Sequence, residues 1–145
     1  MKKIAFLLAG LFVATLIHAQ SVEGRWKTID DETGKAKSIV EIYKKDGKLY
    51  GRIVELFREP NEDQDPVCKE CEGAKHNQKI KGMVIVEGMI FDADDNEWDD
   101  GTILDPKNGT VYDCKLWLDE DNPNQLKVRG YVAFFFRTQT WIRVS

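Results

Sequence analysis

After about residue 20, apolar and polar residues alternate with a period of two along most of the chain, and no run of ten or more residues carries a persuasive helical repeat. Alternation of this kind puts one side of a segment in a core and the other in water, as antiparallel strands require. Val22 to Ile29 reads as a first strand. Ser38 to Lys44 and Lys48 to Phe57 flank Lys45-Asp46-Gly47, and Asp-Gly between two alternating runs predicts a hairpin. Met83 to Phe91 is a further strand in which Gly88 marks a bulge or bend, and the acidic turn Asp92 to Glu97 follows it.

Trp98 to Tyr112 reads as two strands and their hinge. Pro106 fixes φ just after Asp105, and Asn108-Gly109 supplies the positive-φ residues that a tight hairpin needs. An Asp before Pro in a turn is usually bonded to its own backbone. Beyond Asn122-Pro123-Asn124 two long strands close the chain. Leu126, Val128, Gly130, Val132 and Phe134 share one face, with Lys127, Arg129 and Tyr131 on the other; Thr138 to Val144 alternates Trp141 and Arg143 against Thr140, Ile142 and Val144. The sum is an all-β domain of about eight antiparallel strands, an up-and-down β-barrel, because a single-core sheet of this length closes to remove its edges. Only Arg58 to Lys81, charged and turn-rich, breaks the pattern and predicts a long loop or a loop with a short helix.

Composition adds a compartment. Lys2 and Lys3, an apolar run from Ile4 to Ile17, and Ala19 predict a secretory signal peptide over residues 1–19. Ile17, three before the cut, leaves a retained N-terminal anchor as the alternative. Removing 19 of the 145 residues leaves a domain over 20–145, exported to the periplasm or beyond, with no membrane span after cleavage. Without Lys2 and Lys3, 19 basic residues face 25 acidic ones, which argues against nucleic acid and anionic membrane surfaces as partners. Histidine catalysis is confined to His76. Of the three cysteines, Cys68 and Cys71 are the pair expected to form a disulfide, since a bridge across two residues is locally feasible. Cys114 alternates in phase with Tyr112, Leu116 and Leu118, as a small residue on an apolar strand face does.

Two resemblances enter at this point. Gly24-Arg25-Trp26 in the first strand and Arg143 in the last resemble the signature of lipocalins and related barrels, which implies a tryptophan closing the barrel floor under an arginine. Over nearly the whole mature chain, a wider set resembles the exported bacterial family called domain of unknown function 2147. It comprises Gly24-x-Trp26, Tyr50-Gly51-Arg52-Ile53, Cys68-x-x-Cys71, Gly88-Met89 and Trp98-x-x-Gly101-x-Ile103-x-Asp105-Pro106-x-x-Gly109-x-x-Tyr112. Leu126-x-Val128-Arg129-Gly130-Tyr131 and Arg137-Thr138-x-x-Trp141-x-Arg143 complete it. The resemblance implies a lipocalin-like fold and export, and no activity.

Chemistry on the residues themselves is sparse. Cys68-Lys69-Glu70-Cys71 reads as a structural staple; as a redox pair it lacks a helix N-terminus to lower a thiol pKa. As a zinc knuckle with His76 it finds Lys81 where the fourth ligand belongs. Asp92-x-Asp94-x-Asn96 starts like a calcium loop, but Glu97 replaces the required glycine. Neither metal nor cofactor is implied; catalysis by an Asp/Glu pair stays open with Asp105 as the first participant, but the carboxylates are too numerous to single out its partner. Binding is the better expectation. Trp98, Tyr112, Arg129, Tyr131, Arg137 and Trp141 combine aromatic area with fixed positive charge, suited to a small amphipathic ligand with an anionic end in a barrel mouth. The same residues could simply fill the barrel. The alternative function is an envelope interaction module that uses the 58–81 loop, whose protein partner the sequence leaves unidentified.

Overall fold

The computed structural model describes residues 21–145 and, before them, Gly10 alone, so the leader expected over residues 1–19 lies otherwise outside the described part. Eight strands follow one another: β1 Gly24–Ile29, β2 Ala36–Lys45, β3 Lys48–Leu56, β4 Val84–Asp92, β5 Glu97–Asp105, β6 Thr110–Leu118, β7 Gln125–Val132 and β8 Phe135–Arg143. Each pairs antiparallel with the next, and β8 returns to β1, so the sheet is a closed up-and-down barrel. The one helical piece among the described residues is a 3-10 turn, Gly73–Lys75, inside the long β3–β4 connection. Asp46 and Gly47 both take positive φ in the β2–β3 hairpin, as the Asp-Gly signal requires.

The seam between β1 and β8 is short, with Trp26 opposite Arg143 and Lys27 opposite Ile142. Backbone bonds extend it: the Arg25 N–H donates to the Ser145 carbonyl at 2.9 Å, and the Val144 N–H donates to the Arg25 carbonyl at 2.8 Å. Trp26 is fully buried, and its indole N–H donates to the Val22 carbonyl at 2.9 Å. The Arg143 guanidinium lies 4.2 Å from the centre of that indole and donates to the Ser21 and Glu23 carbonyls at 2.7 and 3.3 Å. The cation spreads over the indole face while its two Nη groups meet carbonyls, and its buried Nε is left without a partner among the described residues. Gly24, at φ 131°, brings the backbone so close to the C-terminus that a Cβ there would sit 2.5 Å from the Ser145 oxygen. This end of the barrel is therefore a plugged floor.

One expectation fails in the last hairpin. The alternation carries β7 through Phe134 and starts the final strand at Thr138, whereas the chain turns at Ala133-Phe134 and β8 begins at Phe135. Phe134 is at the tip, not on the inward face with Leu126. No Gly, Asn or Pro announces the turn, and Ala133 takes φ 49°, which costs an alanine roughly 1–2 kcal/mol. Eight cross-strand pairs, from Gln125 with Ile142 to Val132 with Phe135, fix the register and outweigh that local cost.

Truncating Trp26 to Ala should lower the unfolding free energy by about 3–5 kcal/mol, because the ring is fully buried and its neighbours on separate strands cannot collapse into the space. Urea unfolding checks this, and a loss below about 1 kcal/mol would mean the floor is not a structural plug.

Candidate functional site

Side-chain volume is unevenly divided along the barrel axis. Near the floor, Trp26, Ile42, Leu49, Met89, Leu116 and Leu126 are fully buried and fill the section. Toward the other end, inward positions carry smaller or branched residues, and a cavity of about 950 Å³ opens between them. Its walls include Ile53, Ile85, Ile103, Leu104 and Val128, with the Trp141 ring among them. Gly130 leaves one wall position bare.

Polar groups in the cavity are already partnered. The Thr28 and Ser38 hydroxyls bond each other at 2.6 Å, and the Trp141 indole N–H donates to Gln139 Oε1 at 3.2 Å. Gln139 Nε2 donates in turn to Asp31 Oδ2 at 3.2 Å, and Arg137 pairs with the same carboxylate. The Tyr112 hydroxyl accepts from Asn108 Nδ2 at 3.3 Å. Charge is confined to the rim, where Lys35 pairs with Glu59 at 3.1 Å and Arg58 with Glu62 at 3.6 Å. Lys37 and Lys107, also on the rim, make no ion pair among the described residues. Asp30, at the start of the β1–β2 turn, accepts from the Thr33 and Glu32 N–H groups at 2.9 Å each. Those bonds, with nearby Lys37, hold its carboxyl below the usual range. The site is thus an apolar interior under a charged rim.

One wall of the mouth comes from the long β3–β4 connection. Pro66 and Ile80 of that connection line the cavity, and the Ile80 N–H donates to the Pro66 carbonyl at 3.0 Å. Cys68 and Cys71 form a disulfide, both sulfurs buried. The Cys68 N–H donates to the Gln78 carbonyl, and the Asn77 N–H to the Cys68 carbonyl, at 2.8 Å each. This stapled segment rests on the β5–β6 turn. Cys68 Sγ lies 3.4 Å from the Pro106 carbonyl oxygen, and a Cβ added at Gly109 would collide with the Glu70 carbonyl. In the turn itself, Asp105 Oδ1 accepts from the Lys107 N–H and Asn108 Oδ1 from the Thr110 N–H, both at 2.9 Å. Of the Asn108-Gly109 pair, only Gly109 takes positive φ, at 73°.

A model of the family described as "uncharacterized protein conserved in bacteria", domain of unknown function 2147, matches residues 24–143. The chain belongs to this family. A solved structure of HP1028 from Helicobacter pylori, titled as a protein belonging to the lipocalin family, superposes with a TM-score of 0.72 at 18% identity. The superposition covers 88% of this chain and 85% of that one. At that identity the likeness concerns the fold, which is a lipocalin-like barrel. No curated protein matches at a significant level. Two motifs within the matched range, Cys68-x-x-Cys71 and Asp105-Pro106-x-x-Gly109, lie far apart in the sequence and are in direct contact in the fold.

The six aromatic and arginine residues singled out for binding are divided by this family fold. Tyr112, Arg137 and Trp141 border the cavity. Trp98 is at the floor end, packed against Phe91 at 5.2 Å between ring centres, with Lys44 Nζ 5.5 Å above it. Arg129 and Tyr131 are outside the wall: the Arg129 guanidinium lies 5.0 Å from the Trp117 ring and 4.4 Å from Phe136, and its Nε donates to Thr138 Oγ1 at 2.8 Å. Tyr131 packs on Phe136 from the same side. The wall residues carry no chemical signature; inward strand phase points to Ile53, Ile103 and Val128, whereas Ile85 and Leu104 stand in the opposite phase, next to inward Val86 and Ile103, where alternation alone does not find them. His76 Nδ1 is 3.0 Å from the Cys71 carbonyl of its own loop. With Cys68 and Cys71 bonded to each other, neither thiolate is available to a metal.

Cys114 is the free cysteine, buried on the inner face of β6, and burial, reinforced by the charge of Asp99, pushes its thiol from 9.0 up to about 12. Gly109→Ala should undock the stapled segment, lowering stability by about 1–3 kcal/mol and speeding limited proteolysis between residues 57 and 83; an unchanged cleavage rate would show that the contact does not hold the loop. For Cys114, the unfolded chain releases the thiol proton first, so stability is fully present below pH 9 and falls as pH rises toward 12. Unfolding free energies from urea titrations near pH 8 and pH 10.5 should drop by about 2 kcal/mol more in the natural chain than in Cys114→Ala. Equal drops would contradict it.

Proposed function

We propose that this chain is an exported, non-enzymatic binding module for a small, partly apolar ligand held in the barrel. The observation that carries the reading is the one-ended cavity of about 950 Å³, with an apolar wall, partnered polar groups and an ionic rim. Its volume falls in the range of small-molecule sites, roughly 300–1,000 Å³. Leaving such a space open forgoes core packing that inward bulky residues would supply, a sacrifice proteins make at working sites. Lys37 and Lys107 are placed to meet an anionic end at the rim, and Tyr112 and Trp141 offer aromatic contact inside. The disulfide is compatible with an oxidising compartment.

The alternative, an interaction module built on the 58–81 loop, has less support. Pro66, Cys68 and Cys71 turn inward, and Ile80 packs against the core, which leaves Phe57 as the loop's large exposed apolar residue.

Native mass spectrometry and thermal-shift screening against fatty acids, isoprenoids and cell-wall fragments should find a ligand bound one to one that raises the melting temperature. Gly130→Phe should abolish that binding while the barrel stays folded. A Cβ at Gly130 meets Tyr112 Cβ at an ordinary 3.5 Å, and the added ring would project into the cavity. Binding that survives this variant unchanged would move the ligand elsewhere.

A further inference from the structure

Among the described residues, the largest exposed apolar feature stands on the mouth rim, where Phe135 and Phe136 also border the cavity opening. Phe134, Phe135 and Phe136 are consecutive at the β7–β8 hairpin tip and are 98%, 78% and 61% exposed. Phe57, 40% exposed, stands at the end of β3, four strands away around the eight-stranded ring and so across the mouth. We infer that this rim docks the barrel, mouth first, onto the surface of a lipid bilayer by inserting the Phe134–Phe136 tip into the interfacial layer.

Shape and area favour a bilayer over a protein. Successive side chains at a two-residue turn diverge, so the three rings form a projecting tip and no flat face. At about 150–250 Å² each, they offer on the order of 500 Å², short of the ~800 Å² per partner that a standard protein interface buries. A fluid interface accepts such a projection without a matching pocket: Phe134 and Phe135 are bare, while Phe136 carries Arg129 on its face and Tyr131 beside it.

Charge sets the orientation. On the rim, Arg137 pairs with Asp31, Lys35 with Glu59 and Arg58 with Glu62, so the tip approaches a surface without carrying a block of unpaired acid. The floor side holds Asp92 at the end of β4 with Asp94 and Asp95 after it, and Asp119, Glu120 and Asp121 after β6. Ile90 and Phe91, also exposed, lie beside the first of these acidic turns, which opposes their insertion. Because the domain is acidic overall and the rim nearly neutral, the attraction is apolar: it should act on zwitterionic lipid and persist in salt. This inference does not require the cavity to be loaded.

The test uses the full chain carrying an environment-sensitive fluorophore at the tip, through Phe134→Cys, or at a floor turn, through Asp94→Cys. Buried Cys114, with its raised thiol pKa, stays unlabelled. Each chain is mixed with phosphatidylcholine vesicles at low and high salt, after circular dichroism has established that both remain folded. The expected result is a blue shift at the tip at both salt levels and none at the floor. A shift at the floor alone would assign binding to the floor end, where Ser21 lies, and would overturn the inference. So would no shift at either label, or a tip shift seen only with anionic vesicles at low salt. A tip shift that grows with protein concentration in the absence of lipid would assign the rim to self-association instead.

Discussion

The enclosed volume depends on the closure of β1 onto β8. An open eight-stranded sheet would leave two edges of unpaired backbone groups and no interior. Here two residue pairs and the flanking Arg25, Val144 and Ser145 backbone bonds complete the ring. The Trp26–Arg143 contact sits on that seam: it fills the section where the strands meet, and its guanidinium ties the Ser21 and Glu23 carbonyls to the last strand. Because one end performs both closure and filling, the opposite end is released from either duty. An interior that stays open at the mouth follows from that division.

What borders the mouth is held by a second constraint. The β3–β4 connection is long enough to wander, yet its disulfide-linked segment is pressed on the β5–β6 turn where Gly109 has no side chain. Loop closure by a bridge across so few residues constrains little by itself. It makes the segment compact, and the backbone of Glu70 can then approach a glycine. Two patterns that look independent in the sequence are halves of one contact, and together they place Pro66 and Ile80 in the cavity wall.

Most of the fold is legible in the sequence because strand alternation and turn chemistry agree at most corners. Asp46-Gly47 and Asp105-Pro106-x-x-Gly109 announce their turns through residues that tolerate the required φ. Ala133-Phe134 does not, and its position is set by pairing with the far strand, which no local signal carries. The site was legible only in part. Tyr112, Arg137 and Trp141 were reachable as chemistry-bearing residues, whereas Arg129 and Tyr131 already lay out of phase with Leu126 and Val128, so their place outside the wall was implicit in the alternation. Trp98 faces inward opposite Leu116 only because the register shifts between Trp98 and Gly101, which simple alternation does not carry, and it belongs to the floor. The cavity itself is an absence of volume at Gly130 and its neighbours, which composition does not reveal.

The central claim is that the barrel holds an accessible apolar interior bounded by Trp141. Fluorescence titration with N-phenyl-1-naphthylamine, an apolar dye that brightens out of water and accepts energy from tryptophan, tests it directly. Saturable uptake of one dye per barrel is expected, with energy transfer that is reduced in Trp141→Phe to the level Trp26, Trp98 and Trp117 supply, while uptake persists. Absence of saturable uptake, or transfer indifferent to that substitution, would contradict it.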